Sequence, residues 1–207
     1  MPVNYAIKAD VIDLRNDTPK PYDLFLVDSN VWYWTTYTKA NLADRQPKAY
    51  QINDYPTYIG KALSAKSKLF RCGLSFAELA HLIEKTEREI YVRANGVLST
   101  KEYRHNCSSG RSNVITEVQT AWDQIKSMSQ MIEVQIDETI TDAALSRFST
   151  QPLDGYDLFM LEAISKAGVL KVITDDGDYS TVPGIQLFTA NQNVIMAAQS
   201  QNKLLTR

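Results

Sequence analysis

Leu24-Phe25-Leu26-Val27-Asp28-Ser29-Asn30 is the stretch on which the fold turns. Its first four residues are apolar with no polar alternation, which is what a central strand covered on both faces requires. The run breaks at a carboxylate and two small polar residues. An aromatic-rich helix start, Trp32-Tyr33-Trp34, comes next. Those three rings read first as core packing, with a dimer or partner surface as the alternative.

Outward from this point the chain alternates apolar runs with amphipathic segments. A helix is expected over 56–66, a short strand over 69–74, and a helix over 76–91, where Phe76, Leu79, Ala80 and Ile83 recur at helical spacing. Residues 93–113 are polar, contain glycine and lack periodicity, so they read as a long loop or insertion. A helix over 114–129 follows. Ile132, Val134 and Ile136 then alternate with Glu133, Gln135 and Asp137, the period of a half-buried strand. Helices over 141–148 and 156–166 lead to a strand over 169–174, a last short strand over 185–188, and a closing helix over 191–204. The pattern predicts an α/β fold: a mostly parallel sheet of about five strands with helices on both faces. Residues 1–22 are an N-terminal arm or extra strand, 23–190 the main domain with its insertion at 93–113, and 191–207 a C-terminal helix packed on it.

The 207 residues are enough for one domain with a real core, and 44% apolar with 22% charged is an ordinary globular composition. No stretch approaches the ~20 apolar residues of a membrane span. Residues 1–12 lack a basic region followed by an apolar run, so no signal peptide is expected and a cytoplasmic location is. Cys72 and Cys107 form neither a CxxC nor a metal-finger spacing, and free thiols are the simpler expectation. A net charge of −2 excludes binding to nucleic acid by bulk electrostatics.

Twenty-four acids guarantee some at element ends, so each has an ordinary explanation to set beside a functional one. Asp28 suits a turn or helix cap. Glu78 follows Ser75 by three, the spacing of a capping box. Asp176 and Asp178 lie in a glycine-containing turn. Asp157 fits no such role, because it shares a helix face with Leu161 and Ile164, where an unpartnered carboxylate costs several kcal/mol. Taken together, Asp28 and Asp176 close two strands while Glu78 and Asp157 open two helices. In an open α/β sheet these ends meet at the carboxyl edge, where ligands bind. Carboxylates converging there call for a cation. An oxygen-only site suits Mg²⁺ or Mn²⁺, since neither His81 nor His105 has a partner at ligand spacing.

Four segments in order carry a resemblance: Val27-Asp28-Ser29-Asn30, Phe76-Ala77-Glu78-Leu79, Asp157-Leu158-Phe159-Met160, and Ile173-Thr174-Asp175-Asp176-Gly177-Asp178-Tyr179. This pattern resembles the PIN-domain family over residues 23–188. The resemblance implies a Rossmann-like sheet and a metal-dependent ribonuclease, in many members a toxin held by a small antitoxin protein. It would make Asp28, Glu78, Asp157 and Asp176 the catalytic, metal-binding acids. Asp178 either ligates or fixes the turn, and Asp175 competes with its neighbour for the role. Asn30 and Thr174 match supporting polar positions, and Glu162 points about 140° away from Asp157.

Arg88, Arg93, Lys101, Arg104 and Arg111, with Lys85, are candidate RNA contacts, and Tyr91 and Tyr103 candidate base platforms. The ordinary explanation is a solvated face, since Glu84, Glu87, Glu89 and Glu102 are interleaved. An aspartyl phosphatase would want an acid where Asn30 stands, and no GxxxxGK[ST] or GxGxxG loop exists. The rival from another class is a catalytically silent PIN-like module that binds RNA or protein. RNA substrate, an antitoxin-like partner and a homodimer are therefore the expected associations, with no membrane.

Overall fold

The structure is a computed structural model that describes residues 3–133 and 135–207. Asp10–Asp13 is a strand, β1, so the segment before residue 23 supplies an extra strand. Leu24–Val27 is β2, followed by helices α1 (Ser29–Thr36) and α2 (Ala49–Ser64). Then come β3 (Lys68–Cys72), α3 (Gly73–Asn95), α4 (Thr100–Asn106), α5 (Ser108–Met128) and β4 (Gln130–Ile132). The chain continues through α6 (Glu138–Phe148), α7 (Gly155–Ala167), β5 (Lys171–Ile173), β6 (Gln186–Thr189), α8 (Gln192–Ser200) and β7 (Leu204–Leu205). The seven strands form one parallel sheet in the order β4-β3-β2-β5-β6-β1-β7.

The doubly covered strand read from 24–27 is observed. Phe25 and Val27 pack with α1, α2, α3 and α5 on one face, while Leu26 packs with α7 and α8 on the other. Phe25 lies edge-on to Phe188 of β6 at 4.9 Å, and the two rings anchor the first layer. Gly168 ends α7 in the left-handed region at φ 69°, where a glycine has no Cβ penalty, and turns the chain into β5.

Several boundaries differ from the sequence reading. The sheet has seven strands instead of about five, because β1 and β7 are too short to show a period. Residues 93–113 are not a loop: α3 runs on to Asn95, and α4 and α5 follow almost without a break. Their polar surface hides the period, but Glu84 is bound by Arg104, and Tyr103 is buried against Tyr91. The strand expected at 132–136 is displaced to Gln130–Ile132, with Ile136 exposed; Val134 lies outside the described residues. The last helix stops at Ser200, and the chain returns to the sheet as β7. Finally, α2 begins seven residues before Pro56, which sits inside it. The hydrogen bond that proline cannot donate is offset by Tyr50, Gln51 and Tyr55, all bonded to Asp175.

A buried ion cluster closes the amino edge of the sheet. Arg207 donates to both oxygens of Asp17 and both of Asp23 at 2.8 Å each, with its guanidinium 4.5 Å from the Phe188 ring centroid. Lys171 also bonds Asp23. Burial alone would push Asp23 up; hydrogen bonds from Arg207, Lys171 and the Lys20 amide outweigh it and hold the carboxyl at about 2. A depressed folded-state pKa stabilises the fold above the unfolded value and loses that contribution as pH falls through about 2. Acid unfolding followed by circular dichroism should therefore show a step in this range that Asp23→Asn lacks.

Candidate metal centre

In the parallel sheet β2 and β5 are neighbours from which the chain leaves in opposite directions, toward β3 and toward β6. This switch point opens a crevice at the carboxyl ends of the strands. Val27 pairs with Ile173, and the Asp28 amide donates to the Ile173 carbonyl at 3.1 Å. The residues after β2 and after β5 are thus locked side by side.

Asp28 caps α1, accepting from the Ser29 amide at 2.6 Å through Oδ1. Its other oxygen, Oδ2, accepts from the Thr174 hydroxyl at 2.6 Å. Thr174 also accepts from the Asp176 amide at 2.9 Å, so one hydroxyl ties the two strand-end acids together. The Ser29 hydroxyl donates to Glu78 Oε2 at 2.6 Å and brings the third acid in from α3. The expected Ser75–Glu78 capping box is not formed. Because α3 starts at Gly73, Ser75 is already inside the helix, and Glu78 sits a turn further along facing Ser29. Asp157 lies in the first turn of α7, 7% exposed, and accepts from the buried Tyr179 hydroxyl at 2.7 Å.

The four carboxylates feel one another. Burial raises Asp28 well above the usual carboxylate range, with Glu78 and Asp176 adding repulsion. Burial raises Asp157 further, with Asp28, Asp176 and Glu78 contributing. Glu78 and Asp176 are raised for the same first reason. Among the described residues no lysine or arginine pairs with any of the four. One oxygen each of Glu78, Asp157 and Asp176 receives no hydrogen bond there either. None of the three is among the atoms both buried and unsatisfied, so each stays open to solvent.

The remaining expected residues divide. Asp175 is held away from the other acids, its oxygens taken by Tyr55 at 2.8 Å, Gln51 at 2.6 Å and Tyr50 at 3.1 Å. Asp178 gives its amide to Asp176 Oδ1 at 2.9 Å and so fixes the turn; its carboxyl is raised by burial and by the Asp176 charge beside it. Asn30 lines the neighbouring cleft and, among the described residues, makes no side-chain hydrogen bond to the acids. Glu162 is outside the site, paired with Arg147.

Of the expected RNA contacts, Lys85 lines the cleft that holds Asp176 and the other five are placed elsewhere. Arg104 and Arg111 pair with Glu84, Arg93 with Asp44, and Arg88 donates to the Leu98 carbonyl. Lys101 lies on α4, and none of the five lines the cleft that holds Asp176. Arg104 and Arg111 line a different cavity of about 790 Å³ between α3 and α5, which contains none of the four acids. Of the glutamates between them only Glu102 is on a solvated face; Glu84, Glu87 and Glu89 are buried. Packing of α3 against its neighbours pulls these charges inward, where each finds a donor.

Sequence reading missed Asp154, the α7 cap residue three positions before Asp157. Its charge raises both Glu78 and Asp176, and it makes no capping hydrogen bond. An acid preceding a helix reads as an ordinary cap, so nothing in the sequence separates it from one. Tyr5 was also missed. Its ring lies so close to Gly177 that an added Cβ would sit 2.2 Å from Cζ.

An oxygen-only donor set without a cationic side chain fits a hard divalent ion such as Mg²⁺ or Mn²⁺. Among the described residues no three His, Cys, Asp or Glu side chains form a ready-made cage. The fit therefore rests on the donor chemistry and not on a preformed coordination sphere.

No family model and no curated protein matches the chain. Among solved structures it is similar to the crystal structure of PAE2754 from Pyrobaculum aerophilum, at 14% identity, over 90% of this chain and 96% of that one, with a TM-score of 0.40. A likeness this distant carries no statement about function. Among the described residues no helix is long and apolar enough to cross a membrane.

Proposed function

We propose that this protein is a metal-dependent endoribonuclease of the PIN-domain type, hydrolysing RNA phosphodiester bonds with Mg²⁺ or Mn²⁺. The observation that carries the reading is the convergence of Asp28, Glu78, Asp157 and Asp176 at the β2–β5 switch point without a lysine or arginine partner. Such an arrangement is costly for a structural site and useful for a metal site. When bound, the metal would supply a water of lowered pKa and neutralise charge on the scissile phosphate.

The chain's own groups do the holding and the aiming. The three open oxygens, on Glu78, Asp157 and Asp176, would ligate, together with the unused lone pairs of Asp28. Thr174 orients Asp28, Ser29 orients Glu78 and Tyr179 orients Asp157, each through a single short hydrogen bond. Asp28 and Asp157 are buried, which limits the water around the centre. Hydrolysis by water makes no demand on the ribose 2′-hydroxyl, so preference for RNA must come from contacts outside the centre.

Cleavage of a structured RNA pool by the purified protein tests this directly, with Mn²⁺, with Mg²⁺ and with excess EDTA. Cutting should need metal and should fall at least about a hundredfold in Asp28→Asn, the scale of losing one oriented charge in a catalytic site. Equal cutting by both proteins would sink the proposal, as would no cutting by a folded protein in any metal. In the latter case the silent binding module takes its place.

A further inference from the structure

A cleft of about 620 Å³ opens beside Asp176, walled by α1, the segment before α2, and α3. Arg45, Lys48 and Lys85 line it, all exposed, and none is in an ion pair among the described residues. These free cations contrast with Arg93, Arg104 and Arg111, whose charges are spent on Asp44 and Glu84. The acids in the same wall are occupied: Glu89 takes the Asp44 amide, and Asp175 takes three side-chain donors.

Two half-buried rings, Trp34 and Tyr50, face the same space. Trp34 is braced by Tyr55, with centroids 5.5 Å apart, and Tyr50 is tethered by its hydroxyl to Asp175. Lys48 sits 5.8 Å from the centre of the Tyr50 ring, so a charge and a flat face are presented together. Braced rings beside unpaired cations suit one ligand class above others, a polyanion carrying unstacked bases.

We infer that this cleft is the track for single-stranded RNA leading to the metal centre, with Trp34 and Tyr50 stacking on bases and Arg45, Lys48 and Lys85 meeting phosphates. The inference rests on the nuclease reading only for the chemistry at Asp176; binding is a separate property. Duplex RNA keeps its base faces covered by stacking and cannot use the rings. An acidic peptide would satisfy the cations and leave the rings without a flat partner.

The test is fluorescence anisotropy of a labelled single-stranded RNA octamer with the full chain in EDTA, so that no cutting intervenes. Arg45→Glu, Lys48→Glu and Lys85→Glu together should weaken binding at least about tenfold and flatten the salt dependence by about two units of slope. Lys48→Glu should weaken binding more than Lys101→Glu on α4, which makes the same change of charge. Trp34→Leu should weaken it and Trp34→Phe restore it, each variant first shown by thermal melt to be folded.

Equal effects of Lys48→Glu and Lys101→Glu overturn the track, as does equal affinity for duplex RNA. Competition by oligoglutamate as effective as unlabelled RNA overturns it in favour of an acidic protein partner. If cleft variants lose binding while no metal supports cutting, the track stands and the nuclease reading fails. If cutting persists undiminished in the triple variant, the nuclease reading stands and the track falls.

Discussion

Asp157→Asn is expected to do two opposite things: to reduce metal-dependent RNA cleavage by at least about a thousandfold, and to make the protein more stable in chelator. The carboxyl is 7% exposed, meets no cationic side chain among the described residues, and is repelled by Asp28, Asp176 and Glu78. Asparagine keeps the shape and can still accept the Tyr179 hydrogen bond, so the fold loses only a carboxyl that burial and the repulsion of neighbouring acids push up to about 9. Relief of that repulsion should contribute about 1–2 kcal/mol, in the range of typical stabilising substitutions. At this chain length the gain is a rise of roughly 2–8 °C in Tm. With Mn²⁺ present the order should reverse, because the wild type is stabilised by binding and the variant is not. Paired thermal melts with EDTA and with Mn²⁺ read this out. A variant less stable than wild type in EDTA would show that Asp157 is an ordinary structural acid and would remove the main physical support for a metal there.

Arg207→Ala is expected to destabilise the fold by about 3–5 kcal/mol, the cost of stripping one partner from a buried ion pair. Asp17 and Asp23 have side chains 1% and 0% exposed, and the same guanidinium serves both. Lys171 would remain for Asp23, but Asp17 would keep only the Tyr58 hydroxyl, which donates to it at 2.5 Å. The lost stacking on Phe188 adds to the cost. Arg207→Lys should recover part of the loss, since it restores charge without the planar fork that meets two carboxylates at once. Urea unfolding measures both variants. A loss below about 1 kcal/mol for the alanine, the range of surface pairs, would mean that water reaches the two acids and that the cluster is not closed.

The central strand was legible in Leu24–Val27 because a strand sealed on both faces cannot carry a polar residue at either parity. The helix of Asp157 was legible in the same way, as an apolar element with one acid that no local role explains. Those two features, with Asp28 and Asp176 at strand ends, were enough to predict at which edge of the sheet these acids would meet. The helix over 114–129 was legible, but the polar helical segments over 93–113 were not. Their burial is carried by charged residues that find partners only after folding, such as Glu84 with Arg104, and no hydrophobic period records that. The strand β1 was offered only as one of two readings of 1–22 and β7 was missed, because both are held by neighbours and not by their own pattern.

Sequence alone thus determined the fold class, and it supplied the expectation of chemistry at the carboxyl edge with an oxygen-only donor set. These follow from local hydrophobicity and residue type, both properties of short segments. Tertiary structure alone distinguishes Asp175 from Asp176, since only packing shows that Tyr50, Gln51 and Tyr55 claim the first. It likewise decided that Glu78 answers to Ser29 and not Ser75, and that Arg45, Lys48 and Lys85 beside Asp176 are in no ion pair among the described residues. Which charges remain unpaired depends on contacts between residues far apart in the chain, and such contacts exist only once the chain has folded.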